Sequence, residues 1–135
     1  MMMQVLIVEN DADVAEVLKD FVEVGRTHCV TGIVADLDTA MASIEACPPQ
    51  LALIDLHLAG NATGIEVAAR ARERSIPTLF TTGSPLPFPV PEIALGCLCK
   101  PYSSYSVAQA LRIAERIIVG GAANSDDAPP ELELY

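Results

Sequence analysis

Six polar side chains stand directly after apolar runs, where a parallel sheet would gather them. Glu9, Asn10 and Asp11 follow Val5-Leu6-Ile7-Val8, and Asp55 follows Leu51-Ala52-Leu53-Ile54. Thr82 closes the run from Pro77, and Lys100 follows the apolar stretch that holds Cys97 and Cys99. In an open α/β sheet, ligands sit beyond the carboxyl ends of the strands. Crowded carboxylates repel each other, and a divalent cation removes that cost. Mg²⁺ suits one or two carboxylates with waters and a phosphate oxygen. Asp55 is then the candidate nucleophile toward a phosphorus centre, forming an aspartyl phosphate. The cation, Lys100 and the Thr82 hydroxyl would neutralise the equatorial oxygens. A dinucleotide pocket needs a glycine-rich turn after the first strand. Here that turn is acidic.

The elements that must position these groups follow from periodicity. Val14, Val17, Leu18, Phe21 and Val24 repeat at helical spacing before Gly25. His28 to Val34 reads as a second strand. Asp36 or Asp38 caps a second helix, with Leu37, Ala40, Met41 and Ile44 inward, ending at Pro48-Pro49. A third helix runs from about Gly64 to Arg74, with Ile65, Ala68 and Ala69 inward. The fifth strand lies within Ile93 to Cys99. Ser103 or Ser104 caps a last helix that Gly120-Gly121 ends. On it, Val107, Leu111, Ala114 and Ile118 form one face, and Ile113 and Ile117 leave apolar surface beside it. Such alternation predicts a doubly wound, five-stranded parallel sheet covered on both faces. Between Thr82 and Lys100, Pro85, Pro87, Pro89 and Pro91 alternate. Proline lacks a backbone donor and turns its predecessor away from helix, so the fourth helix is predicted absent or degenerate.

The 135 residues make one domain, expected over residues 1–120, with 121–135 a disordered acidic tail. Asp and Glu number 18 against 8 Lys and Arg, a formal net charge of −10. That charge repels nucleic acid and anionic membranes, so neither is an expected partner. No apolar run approaches the ~18 residues of a membrane span, and the start has no basic n-region. Cys29, Cys47, Cys97 and Cys99 lack zinc spacing and read as reduced cysteines used for packing in a cytoplasmic protein.

With these stretches in this order, the chain resembles the receiver domain of two-component response regulators over about residues 4 to 119. The matching segments are Val5 to Asp11, Leu53-Ile54-Asp55-Leu56, Pro77 to Gly83, and Lys100-Pro101-Tyr102. The resemblance implies a flavodoxin-like strand order 2-1-3-4-5. It implies a stand-alone regulator, not a turnover enzyme, that takes a phosphoryl group on Asp55. The donor would be a histidine kinase or a histidine phosphotransfer protein. The output would be protein–protein contact. It places the Mg²⁺ ligands at Glu9, Asn10, Asp55 and the backbone carbonyl of His57, whose side chain is expected to face solvent. It makes Thr82 the switch hydroxyl and Lys100 the phosphate partner, with a peptide before Pro101 that is often cis. Phe80-Thr81-Thr82-Gly83 resembles the subgroup nicknamed "FAT GUY", though Thr81 stands for its alanine and no aromatic follows Gly83.

Two positions depart from the family pattern. Asn10 stands where an Asp normally binds Mg²⁺, so weaker metal binding is expected. Asp11 either turns inward to compensate or caps the first helix. Cys97 stands where a switch aromatic is common, and Tyr102 is a nearby substitute. These departures motivate an alternative, a phosphorylation-independent pseudo-receiver that acts as a binding module. A small α/β hydrolase using Asp55 lacks both a substrate cap and a second general acid.

Overall fold

A computed structural model of the chain describes residues 2–58, 63–121 and 127–135. Its strands are β1 (Met3–Val8), β2 (His28–Val34), β3 (Leu51–Asp55), β4 (Thr78–Thr82), β5 (Gly96–Cys99) and β6 (Leu132–Leu134). Its helices are α1 (Ala12–Glu23), α2 (Leu37–Ala46), α3 (Gly64–Glu73) and α4 (Ser104–Gly120). The sheet order is β2-β1-β3-β4-β5-β6. The first five strands run parallel, and β6 pairs antiparallel with β5. This is the doubly wound flavodoxin-like arrangement expected, extended by one strand.

Strand residues alternate between two cores, which explains why the runs are apolar throughout. Val5, Ile7, Leu53, Leu79 and Leu98 pack with α1 and α4. Leu6, Val8, Ala52, Ile54, Phe80 and Cys97 pack with α2 and α3. Helix starts are set by capping side chains that satisfy otherwise orphaned N–H groups. Asp36 accepts from the Thr39 amide at 2.9 Å. Ser103 and Ser106 form a reciprocal capping box on α4. Gly121 closes α4 with φ 76°, a left-handed conformation that glycine adopts without a Cβ penalty.

Three expectations change. The inward stripe of α3 is Gly64, Val67, Ala68 and Ala71, while Ile65 is exposed and Ala69 only half-buried. The cause is Gly64, whose amide donates to the Leu56 carbonyl at 3.0 Å and whose Cα faces the β3 end directly. That contact turns the helix by one position. The surplus apolar surface of α4 is not free: Ile113 is buried, and Ala128 packs on the same core from the far end of the chain. The expected acidic tail lies partly outside the described residues, but residues 127–135 are not a free tail. Leu132, aligned with Leu98, is buried, and the Cys99 amide donates to the Glu131 carbonyl at 2.8 Å.

Between β4 and β5 no helix forms among the described residues. A single turn closes at Val90, whose carbonyl accepts from the Ile93 and Ala94 amides. The alternating prolines account for this.

Candidate functional site

The carboxyl ends of β1, β3 and β5 bring three charged groups into contact. Lys100 Nζ lies 3.0 Å from Glu9 Oε1 and 3.1 Å from Asp55 Oδ2. The side chains of Glu9 and Asp55 are 2% and 8% exposed, and that of Lys100 is 28% exposed. One ammonium thus holds two nearly buried carboxylates. Burial by itself would lower the lysine's pKa. Its bonds to Glu9 and Asp55, and their charges, more than offset this and raise it above 10.5. Lys100 therefore stays charged at neutral pH.

Each carboxylate has a second anchor. Asp55 Oδ1 accepts from the His57 amide at 3.1 Å, and Glu9 Oε2 accepts from the Asp11 amide at 3.2 Å. The Lys100 amide donates to the Thr82 carbonyl at 2.8 Å, so β4 sets the height of the lysine. The Lys100–Pro101 peptide is cis. His57 is exposed, as expected of its side chain.

Four expected participants stand apart from this contact. Asp11 is the N-cap of α1, its carboxylate accepting from the Asp13 and Val14 amides at 3.0 and 3.2 Å. Of its two readings the structure takes the cap, because two orphaned donors and the positive helix end hold the carboxylate outward. Asn10 is exposed at the rim. The Thr82 hydroxyl is buried but faces Ser84, donating to its carbonyl at 3.3 Å and accepting from its amide at 3.1 Å. Tyr102, the candidate aromatic substitute, packs edge-on against Phe21 of α1, with ring centroids 6.4 Å apart. It lies on the α1/α4 side, away from Cys97.

Two residues escaped the sequence reading. The Ser84 backbone amide and carbonyl hold the Thr82 hydroxyl; a threonine directly before Gly83 is the signal of such a turn. Gly64 lets α3 touch the acceptor strand, since a Cβ there would lie 2.1 Å from the Asp55 carbonyl oxygen.

Glu9 and Asp55 offer the two-carboxylate, oxygen-only donor set that Mg²⁺ accepts. Among the described residues no group of three or more His, Cys, Asp or Glu is placed to hold a metal. A cation here would therefore depend on Glu9 and Asp55 with neutral ligands, and would compete with Lys100 for both. The donor chemistry fits Mg²⁺, with one acid fewer than a three-carboxylate rim.

No protein-family model matches the chain, and no curated protein matches it. Solved structures do. A CheY-like response regulator receiver domain from Methanospirillum hungatei JF-1 is 20% identical, with a TM-score of 0.79 over 90% of this chain and all (100%) of that one. The signal receiver domain of a modulated diguanylate cyclase from Desulfovibrio desulfuricans G20 is 25% identical, with a TM-score of 0.76 over 90% of this chain and 100% of its own. The anti-anti-sigma factor PhyR of Bartonella quintana is 28% identical, with a TM-score of 0.71 over 86% of this chain but only 51% of its own. The chain thus has the fold of response regulator receiver domains. Among the described residues no helix is long and apolar enough to cross a membrane.

Proposed function

We propose that the chain is a response regulator receiver that accepts a phosphoryl group on Asp55 and signals by protein–protein contact. The observation that carries this is the Lys100 ammonium clasped between Glu9 and Asp55 at the ends of three strands. An Asp55 carboxylate oxygen attacks phosphorus as the P–N bond of a donor phosphohistidine breaks. The imidazole leaves and takes its proton from solvent. The His57 amide and Lys100 hold the carboxylate, and Lys100 then faces the charge gathering on the phosphoryl oxygens. Glu9 and Asp55 would hold Mg²⁺, and the chemistry it would supply is further positive charge toward those oxygens. The Thr82 hydroxyl turns from Ser84 to donate to the phosphoryl group. The donor is a histidine kinase or histidine phosphotransfer protein, and the setting is cytoplasmic. Neither nucleic acid nor membrane suits a chain of net charge −10.

Intact mass after incubation with acetyl phosphate tests this. A Mg²⁺-dependent gain of one phosphoryl mass is expected, and none in Asp55→Asn. No gain in the folded native chain on incubation with phosphorylated kinase or phosphotransfer protein would overturn the reading and favour a binding module that works without phosphorylation.

The neutral Asn10 makes metal binding weak. A unit charge at ~4 Å is worth up to ~4 kcal/mol at an effective dielectric of ~20, before desolvation takes most of it. Asn10→Asp is therefore expected to tighten Mg²⁺ by about tenfold, or ~1.4 kcal/mol. Calorimetric titration of both proteins with Mg²⁺ checks this. Equal affinities would show that position 10 lies outside the cation's reach.

A further inference from the structure

Cys97 is buried on the α2/α3 side of β5, where the residue after the last strand lies against it. Tyr135 lies beside Cys97 and Cys99 and packs on the same core as Leu86, Val90 and Ile93. Its amide donates to the Leu95 carbonyl at 3.0 Å. Glu133 is aligned with Cys97, so Tyr135, two residues on, shares the face of Cys97 and Cys99. Gly96 is fitted to this contact. A Cβ there would lie 2.3 Å from the Glu133 carbonyl oxygen, and only the absent side chain lets β6 close on β5.

The closure is built to be opened. The Tyr135 hydroxyl is buried and has no partner at good hydrogen-bond geometry. The Cys97 thiol beside it bonds only weakly, and Cys99 and Glu133 act on it through charge alone. A buried hydroxyl so weakly partnered recovers little of its lost hydration, which favours release. β6 is only three residues long, and its flanking Arg116–Asp127 ion pair is exposed and contributes little.

One strand, β5, links the strap to Thr82. Thr82 is aligned with Cys99 across β4 and β5. Its hydroxyl holds the Ser84 backbone, at the start of the proline-rich segment whose Leu86, Val90 and Ile93 pack on the same core as Tyr135. A Thr82 hydroxyl that turns to a phosphoryl oxygen gives up Ser84 and frees that segment.

We propose that residues 127–135 are a displaceable strap. In the unphosphorylated chain Tyr135 closes over Cys97, doing from the last strand what an aromatic on β5 would do. Phosphorylation of Asp55 loosens it and bares the edge of β5. This rests on the acceptor reading above. Linkage makes the coupling reciprocal: a freed strap favours the phosphorylated state by the same factor.

Cys97 reports the strap. Burial first, then Cys99, push its thiol up to about 12, so it is inert while covered. A chain with Cys29, Cys47 and Cys99 changed to Ser carries Cys97 as its single thiol. After acetyl phosphate and Mg²⁺, a brief pulse of N-ethylmaleimide is followed by intact mass, which reads phosphoryl group and label on the same molecule. Phosphorylated molecules are expected to label at least tenfold faster than unphosphorylated ones. Tyr135→Ala and Gly96→Ala are expected to label fast in both states, and Tyr135→Phe to stay protected. Equal labelling of phosphorylated and unphosphorylated molecules would overturn the strap's release and leave the acceptor reading standing. Slow labelling in Tyr135→Ala would show that Tyr135 is not the cover. Failure to gain any phosphoryl mass would count against the acceptor reading and take the release step with it.

Discussion

Gly64→Ala is expected to lower the unfolding free energy by about 3 kcal/mol or more, at the upper end of what overpacking costs. Most substitutions at a helix start do far less, and glycine to alanine within a helix ordinarily stabilises by up to ~1 kcal/mol. Here the added methyl would lie 2.1 Å from the Asp55 carbonyl oxygen and 2.7 Å from the Leu56 Cα. Both obstacles are backbone, so no side-chain rotation relieves them. Either α3 lifts from β3, exposing Val67, Ala68 and Ala71, or the end of β3 moves. The second route shifts Asp55 itself. Urea unfolding measures the first consequence. The phosphoryl mass gained per minute, at a temperature where the variant is still folded, measures the second. A variant as stable as the native chain would mean that the α3–β3 contact yields at little cost.

The same glycine shows what could and could not be read in advance. The rim was legible because its groups each follow an apolar run, and a parallel sheet brings run ends together whatever the loops do. Glu9, Asp55 and Lys100 met for that reason. Asp11 had two physically sound readings, ligand and cap. The choice turned on side-chain direction, which composition does not encode. Thr82 was placed correctly at the end of β4. Its bond to Ser84 is a local competition that spacing does not decide. The pairing of Leu132–Leu134 with β5 was not legible for a different reason. Two prolines and a run of acids suit a solvated tail, and a three-residue edge strand has too few positions to show alternation. Leu132 and Leu134 gain their meaning only from the apolar edge of β5 that they cover. The missing fourth helix, by contrast, was plain, since four alternating prolines exclude a helix locally.

Lys100→Met should have the largest effect on chemistry. The side chain keeps its length and loses its charge, so packing is nearly preserved while two carboxylates lose their common partner. Removing a charged group that faces the developing oxyanion typically costs ~100- to 1,000-fold in rate. Phosphoryl gain from acetyl phosphate is expected to fall by about that much. Stability should fall too. Glu9 and Asp55 remain nearly buried with like charges, and breaking a buried pair costs ~3–5 kcal/mol, less here because Lys100 is partly exposed. The response to Mg²⁺ separates this from simple misfolding. A cation held by Glu9 and Asp55 would supply the missing positive charge, so Mg²⁺ should narrow the gap to the native chain. Denaturant midpoints measured with and without Mg²⁺ check this. A deficit insensitive to Mg²⁺ would place the role of Lys100 in packing alone. Lys100→Arg completes the comparison: it keeps the charge but changes the donor geometry, so it should hold most of the stability and recover only part of the rate.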